Sequence, residues 1–157
     1  MNRYLTLPVL LAVLTSLSLP ARADRYSVPK HAAFEEECGS CHLAYPPQML
    51  DAHSWLHVMN GLAHHFGTDA SLDDKRRVAI TDFLAQNAGG RKTGVTADAA
   101  GRPLLRITET ARFVKKHREV SAATFKRASI KSPANCAACH RQAAAGGYSE
   151  HSINIPK

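Results

Sequence analysis

Cys38-Gly39-Ser40-Cys41-His42 and Cys136-Ala137-Ala138-Cys139-His140 repeat one pattern, C-x-x-C-H, and together use all 4 cysteines of the 157-residue chain. Two thiols and an adjoining imidazole at this spacing suit the covalent attachment of a c-type haem. Each thiol forms a thioether to a vinyl group, and the histidine binds the iron from one side. C-x-x-C by itself also builds zinc sites and redox dithiols. One zinc held by all four thiols would leave the histidine after each pair unexplained, and no thiol is left over for a separate disulfide. The residues therefore point to two haem c groups, attached through Cys38, Cys41, Cys136 and Cys139, with His42 and His140 as proximal iron ligands.

What such a protein does depends on the far side of each iron. Methionine there raises the reduction potential, a second histidine gives a lower one, and an open position admits small ligands. The chain has no methionine beyond Met59. A histidine or methionine from the second motif's own half must then be His117 or His151. His117 is favoured because it falls one helical turn from Phe113, whereas His151 lies in the tail; the competing reading is a basic helix end answering the helix dipole. The first motif has more candidates: His31, His53, His57, His64, His65, Met49 and Met59. His65 stands before Phe66-Gly67, where a helix should end and a side chain can reach over a haem face. Spacing alone leaves it in competition with all the others. His53 and His57 share a helix face at a spacing also used for metals, without the glutamate of a His-Glu-x-x-His enzyme motif.

The elements that must position these residues read as helices joined by loops. Leu50, Trp55, Leu56, Met59 and Leu62 predict a helix over Gln48 to His64, after Pro46-Pro47 and before Gly67. Ser71 is the expected N-cap of a second helix, with Ile80, Phe83 and Leu84 on its buried side and Ala88-Gly89-Gly90 at its end. Thr108 or Thr110 should cap a third helix running to about Glu119. Ser132-Pro133 should open a fourth that passes through the second motif to Gly146-Gly147. No strand is expected. The fold class is all-α, in two small haem-binding domains: residues 24–90, a linker at 91–102, and residues 103–157. Segments of roughly 65 residues bury little core, so each half needs its haem to complete one.

The first 23 residues read as a signal peptide. Arg3 supplies a small positive start, Leu5 to Leu19 is mostly apolar, and Ala21-Arg22-Ala23 fits a cleavage site. Pro8, Thr15, Ser16 and Ser18 interrupt the apolar run, which makes it a poor membrane span, although retention as an anchor is the alternative. Export places the protein in the periplasm, where unmodified thiol pairs would tend to oxidise. Cleavage removes Arg3 and Arg22, taking Lys+Arg from 20 to 18 against 13 Asp+Glu and the formal charge from +7 to +5. Haem propionates would lower it further. The pI near 9.5 thus gives no case for nucleic acid, and no basic stripe interleaves with aromatics. Lys75-Arg76-Arg77, Lys115-Lys116-His117-Arg118 and Lys126-Arg127 are ordinary solvated runs that could also steer an acidic redox partner.

At these residues the chain resembles the small dihaem cytochromes c over nearly all of its mature length. The resemblance rests on Glu37-Cys38-Gly39-Ser40-Cys41-His42 with Tyr45-Pro46-Pro47, and on His65-Phe66-Gly67-Thr68-Asp69-Ala70-Ser71-Leu72. It continues through Arg106-Ile107-Thr108-Glu109, Phe113-Val114-Lys115-Lys116-His117-Arg118-Glu119 and Asn135-Cys136-Ala137-Ala138-Cys139-His140. It implies two linked haem domains, the first similar to a class I cytochrome c, with both irons bis-histidine ligated and the haems close together. Matched motif to motif, His65 and His117 become the distal ligands. It further implies electron transfer between a membrane cytochrome b and a soluble oxygen-binding monohaem cytochrome. Where this chain has Arg112, the family often has an aromatic, which implies different packing at the second haem. The expected function is electron transfer without substrate chemistry and without stable membrane insertion once the leader is cleaved. A dihaem peroxidase or gas-ligand-binding protein with one open iron is the rival from another class; dihaem peroxidases are usually larger, and no catalytic base is evident beside a vacant site.

Overall fold

A computed structural model describes residues 25–90 and 97–157. The expected signal peptide, residues 1–23, and residues 91–96 of the expected linker lie outside the described residues. Five short α-helices and several single 3₁₀ turns carry the fold: α1 (Ala32–Cys38), α2 (Ala52–Asn60), α3 (Asp74–Gln86), α4 (Ala111–Lys116) and α5 (Ala122–Phe125). Extended pairing among the described residues is limited to isolated bridges, such as His65 with Thr68 and His140 with Ile153. The all-α expectation holds.

The N-terminal half has a core of its own. α1 and α2 both pack on α3, burying Phe34, Leu50, Trp55, Met59, Ile80, Phe83 and Leu84. The indole N–H of Trp55 donates to the buried Pro47 carbonyl at 2.7 Å, so the ring's polar atom is satisfied inside the core. Ile80, Phe83 and Leu84 form the buried side of α3 as their spacing predicts. The C-terminal half differs sharply: its buried apolar side chains are Ile130 and Ala143.

Several expected boundaries move, each for a local reason. The single helix over 48–64 is instead a 3₁₀ turn at Pro47–Met49, then α2, then a second turn at Leu62–His64. Asp51 breaks it by turning extended and accepting the Ser54 N–H at 2.7 Å, a cap that restarts the helix. Leu56, adjacent to buried Trp55 and about 100° round the helix from it, stays exposed. Ser71 does not cap α3. Asp73 does, accepting from the Arg76 N–H, while the Ser71 N–H is held by Asp69 in a preceding turn. Thr110 is the cap of α4, but this helix stops at Lys116 with His117 as its C-cap. No α-helix runs through the second motif. Cys136–Ala138 and Ala143–Ala145 are separate 3₁₀ turns, since this Ala- and Gly-rich segment has no apolar stripe to hold a longer helix against a core.

Residues at the start of the described chain dock onto the C-terminal half. The Tyr26 N–H donates to the Gly146 carbonyl at 2.9 Å, Tyr26 packs edge-on against Tyr148, and the Arg112 guanidinium donates to the Tyr26 hydroxyl at 3.1 Å. Arg112 thus ties this segment to α4. Gly146 makes this approach feasible: its φ is +75°, and a Cβ there would collide with the Tyr26 carbonyl oxygen. Gly146→Ala is therefore expected to destabilise the holoprotein by on the order of 2 kcal/mol, from left-handed backbone strain plus the lost contact. Thermal unfolding followed by circular dichroism would measure it; an unchanged midpoint would show that this docking contributes nothing.

Candidate haem-binding sites

Cys38 closes α1, so the first motif begins where a helix ends. Gly39 is the cap, its N–H bonded to the Glu35 carbonyl at 3.2 Å, and a Cβ at this position would strike that same oxygen. The chain then turns sharply enough to bring Cys41 and His42 beside Cys38. All four cysteines are free of disulfides. Burial pushes the Cys38 and Cys136 thiols up to about 11, the reverse of the lowered values that make a C-x-x-C pair a redox dithiol. Among the described residues no group of three or more Cys, His, Asp or Glu converges where a metal ion could sit. The single four-thiol zinc is thereby set aside.

Opposite each motif histidine stands another histidine. His42 and His65 face one another with ring centres 6.2 Å apart and planes 19° from parallel. His140 and His117 stand 6.0 Å apart with planes at 77°. Two metal–nitrogen bonds of about 2.0 Å, plus about 1.2 Å from each nitrogen to its ring centre, put axial imidazoles roughly 6 Å apart across an iron. Both pairs match that span. The tautomers also suit ligation. His42 Nδ1 lies 2.8 Å from the Leu43 carbonyl and His117 Nδ1 2.9 Å from the Phe113 carbonyl. A carbonyl can only accept, so both Nδ1 atoms carry the proton and both Nε2 lone pairs are left for a metal.

His65 is presented by a strained turn. Phe66 and Gly67 have φ of +51° and +101°, and the Thr68 N–H returns to the His65 carbonyl at 3.1 Å. A phenylalanine in the left-handed region needs outside support. Arg106, from beyond the linker, supplies some by placing its guanidinium 4.1 Å from the Phe66 ring centre. The His65 imidazole is held below its ordinary value by burial first and then by His42 and Arg106, which keeps it neutral and able to ligate. His117 is fixed by packing: it stacks on Phe113 at 4.0 Å, with Phe125 flanking at 6.1 Å.

A cavity lies at each of these anchor points. The first encloses about 500 Å³ and is lined by Cys38, Cys41, His42, His65 and core side chains including Trp55 and Leu84, within the usual range of ligand pockets. The second is smaller, about 140 Å³; Cys136, Cys139, His117 and His140 line it with Phe113 and Tyr148. Ile107, Phe113 and Cys136 line both, so the two share a wall. Tyr45 links the motifs directly: it stacks on His42 at 4.9 Å, and its hydroxyl donates to the Ala134 carbonyl at 2.7 Å.

None of the other candidates stands opposite a motif histidine as His65 and His117 do. His31 caps α1 by accepting the Phe34 N–H at 3.1 Å and lies against Phe83. His64 and His151 are exposed; Met59 is buried in the core and lines the first cavity, but the ring facing His42 there is His65. His53 and His57 are exposed and line neither cavity. Met49, a ligand candidate for the first motif by its place in the sequence, instead reaches the second cavity. No role was foreseen for Tyr26, Tyr148 or the Phe66–Arg106 pair, because their contacts join segments far apart in the chain.

Comparison with known proteins agrees with this geometry. The family model described as dihaem cytochrome c matches residues 34–148. The X-ray structure of a dihaem cytochrome c from Shewanella baltica OS155 superposes with a TM-score of 0.69 at 34% identity, over 82% of this chain and 95% of that one. Two structures of Rhodobacter sphaeroides proteins are similar. One, of DHC purified from that organism, has a TM-score of 0.65 at 39% identity, covering 78% of this chain and 100% of its own. The other, a dihaem cytochrome c, has a TM-score of 0.68 at 38% identity, covering 77% and 98%. No curated protein matches the sequence.

Proposed function

The chain belongs to the dihaem cytochrome c family, with two haem c groups as its cofactors, and on that premise we propose that it is a periplasmic electron carrier with both irons held between two histidines. Haem c supplies a one-electron Fe(III)/Fe(II) couple. The observation that carries the reading is the matched pair of histidine separations, 6.2 and 6.0 Å, which would give each iron two imidazoles from this chain and leave no position for a substrate. Cys38, Cys41, Cys136 and Cys139 would hold the two groups, His42 and His140 would be the proximal ligands, and His65 and His117 the distal ones. Phe113 and Ile107, which line both cavities, would place apolar side chains between the two groups. Tyr45 keeps the two motifs in register.

Export to the periplasm follows from the leader-like residues 1–23, and from them also the absence of stable membrane insertion. A membrane cytochrome b and a soluble oxygen-binding monohaem cytochrome are the partners on this reading. Lys115, Lys116 and Arg118 are exposed beside the second cavity, where they can steer an acidic partner into a small, transient contact.

Low-temperature electron paramagnetic resonance of the oxidised holoprotein tests the ligation. Near-parallel imidazoles at the first iron should give a rhombic low-spin signal, and near-perpendicular ones at the second a broad signal dominated by one large g value. Neither reduced haem should bind carbon monoxide. A high-spin component that shifts with cyanide would instead support the enzyme reading, and a methionine–iron charge-transfer band would exclude two bis-histidine haems.

A further inference from the structure

His53 and His57 belong to neither haem site, yet they form the most developed constellation outside them. Both lie on α2, one turn apart, on the face opposite Trp55 and Met59, and both are exposed. Their Nε2 atoms stand 3.2 Å apart, with ring centres at 4.7 Å and planes at 83°. An ion about 2.0–2.1 Å from each nitrogen would see the two at an angle of roughly 100°, between square-planar and tetrahedral geometry. Imidazoles converging on such an ion have ring centres roughly 5 Å apart, whereas a collinear N–H···N hydrogen bond of the same length would set them at about 5.5 Å. The observed separation is on the converging side.

We infer that His53 and His57 form a surface chelate for a borderline divalent transition-metal ion, with copper(II) bound most tightly and zinc(II) or nickel(II) more weakly. Imidazole nitrogen is the ligand type these ions take, and the order follows their intrinsic affinities. Two histidines at i and i+4 on one helical face are also how helices present metals elsewhere. Ser54 stands where a hydrolytic motif has glutamate, and among the described residues no third protein ligand completes the set. Water must supply the remaining positions, so the ion would be exchangeable and bound at the surface rather than structural.

Copper(II) alone, titrated into the fully oxidised holoprotein at about pH 7.5, tests this, since ferric haems have no electron to give the metal and free imidazole is neutral there. One copper per molecule should bind with nitrogen hyperfine coupling in its paramagnetic resonance. H53A and H57A should each weaken binding roughly tenfold or more, and the double variant should lose that signal while keeping wild-type haem spectra. A double variant that binds copper like the wild type, through His64, His151 or the amino terminus, would overturn the site, as would no binding at all. Both failures leave the haem ligation untouched, because neither histidine lines a haem cavity.

Discussion

His117→Ala is expected to turn the second haem five-coordinate, with a high-spin ferric signal and carbon monoxide bound at one haem per molecule, while the first haem keeps its spectrum. The His117 ring is the imidazole that faces His140 at 6.0 Å, and its Nδ1–H bond to the Phe113 carbonyl leaves the Nε2 lone pair for a metal. His151, the remaining histidine of that half apart from the motif's own, is exposed and lines neither cavity. His117→Met keeps six ligands and should raise that haem's potential by on the order of 100 mV, a fraction of the roughly 0.8 V that axial ligands span. Spectroelectrochemistry separates the two variants: the alanine changes spin state and the methionine mainly potential. If His117→Ala stays low-spin without a methionine–iron band, His117 is not the ligand. His65→Ala should do the same to the first haem.

The attachment points were legible in the sequence because covalent chemistry demands a contiguous motif. The distal ligands were harder. The one local cue for His65 over His53, His57 or His64 was the Phe66-Gly67 pair after it, which spacing alone could not weigh; the left-handed turn there and its support by Arg106 from across the linker appear only in the fold. His117 was easier to single out, having only His151 as a competitor. In the first half the apolar spacing of α3 identified its buried face, since packing and pattern agree there. α1 went unread because its cap is a histidine and its middle is Glu35-Glu36-Glu37, which shows no apolar period. The expected helix through the second motif failed for the opposite reason. A proline, a serine cap and many alanines favour a helix locally, but no apolar face exists to hold one, and the chain turns around the motif instead.

The same shortage of apolar residues gives the largest expected effect. Cys136→Ala with Cys139→Ala should yield a one-haem protein whose C-terminal half no longer folds, while α1, α2 and α3 survive. Within residues 103–157 the buried apolar side chains are Ile130 and Ala143, and burying an isoleucine contributes only about 1.5–3 kcal/mol. The rest of that half is held by polar ties at the surface, such as Arg127 to the Pro156 carbonyl and Ser129 to the Lys157 carbonyl, which are weak in water. Its aromatic rings, Phe113, Phe125 and Tyr148, are turned toward the cavity, so without a covalently held disc they would lack a partner surface. Haem counting by pyridine haemochrome should fall from two to one, and limited proteolysis should remove the segment after the linker while sparing the first half. Cys38→Ala with Cys41→Ala should behave differently, because seven buried residues around Trp55 and Ile80 remain packed on one another. That variant should lose its haem yet keep much of its helical signal. Equal collapse in both variants would mean that the first half depends on its haem as fully as the second, and that the buried cluster between α2 and α3 is too small to stand without it.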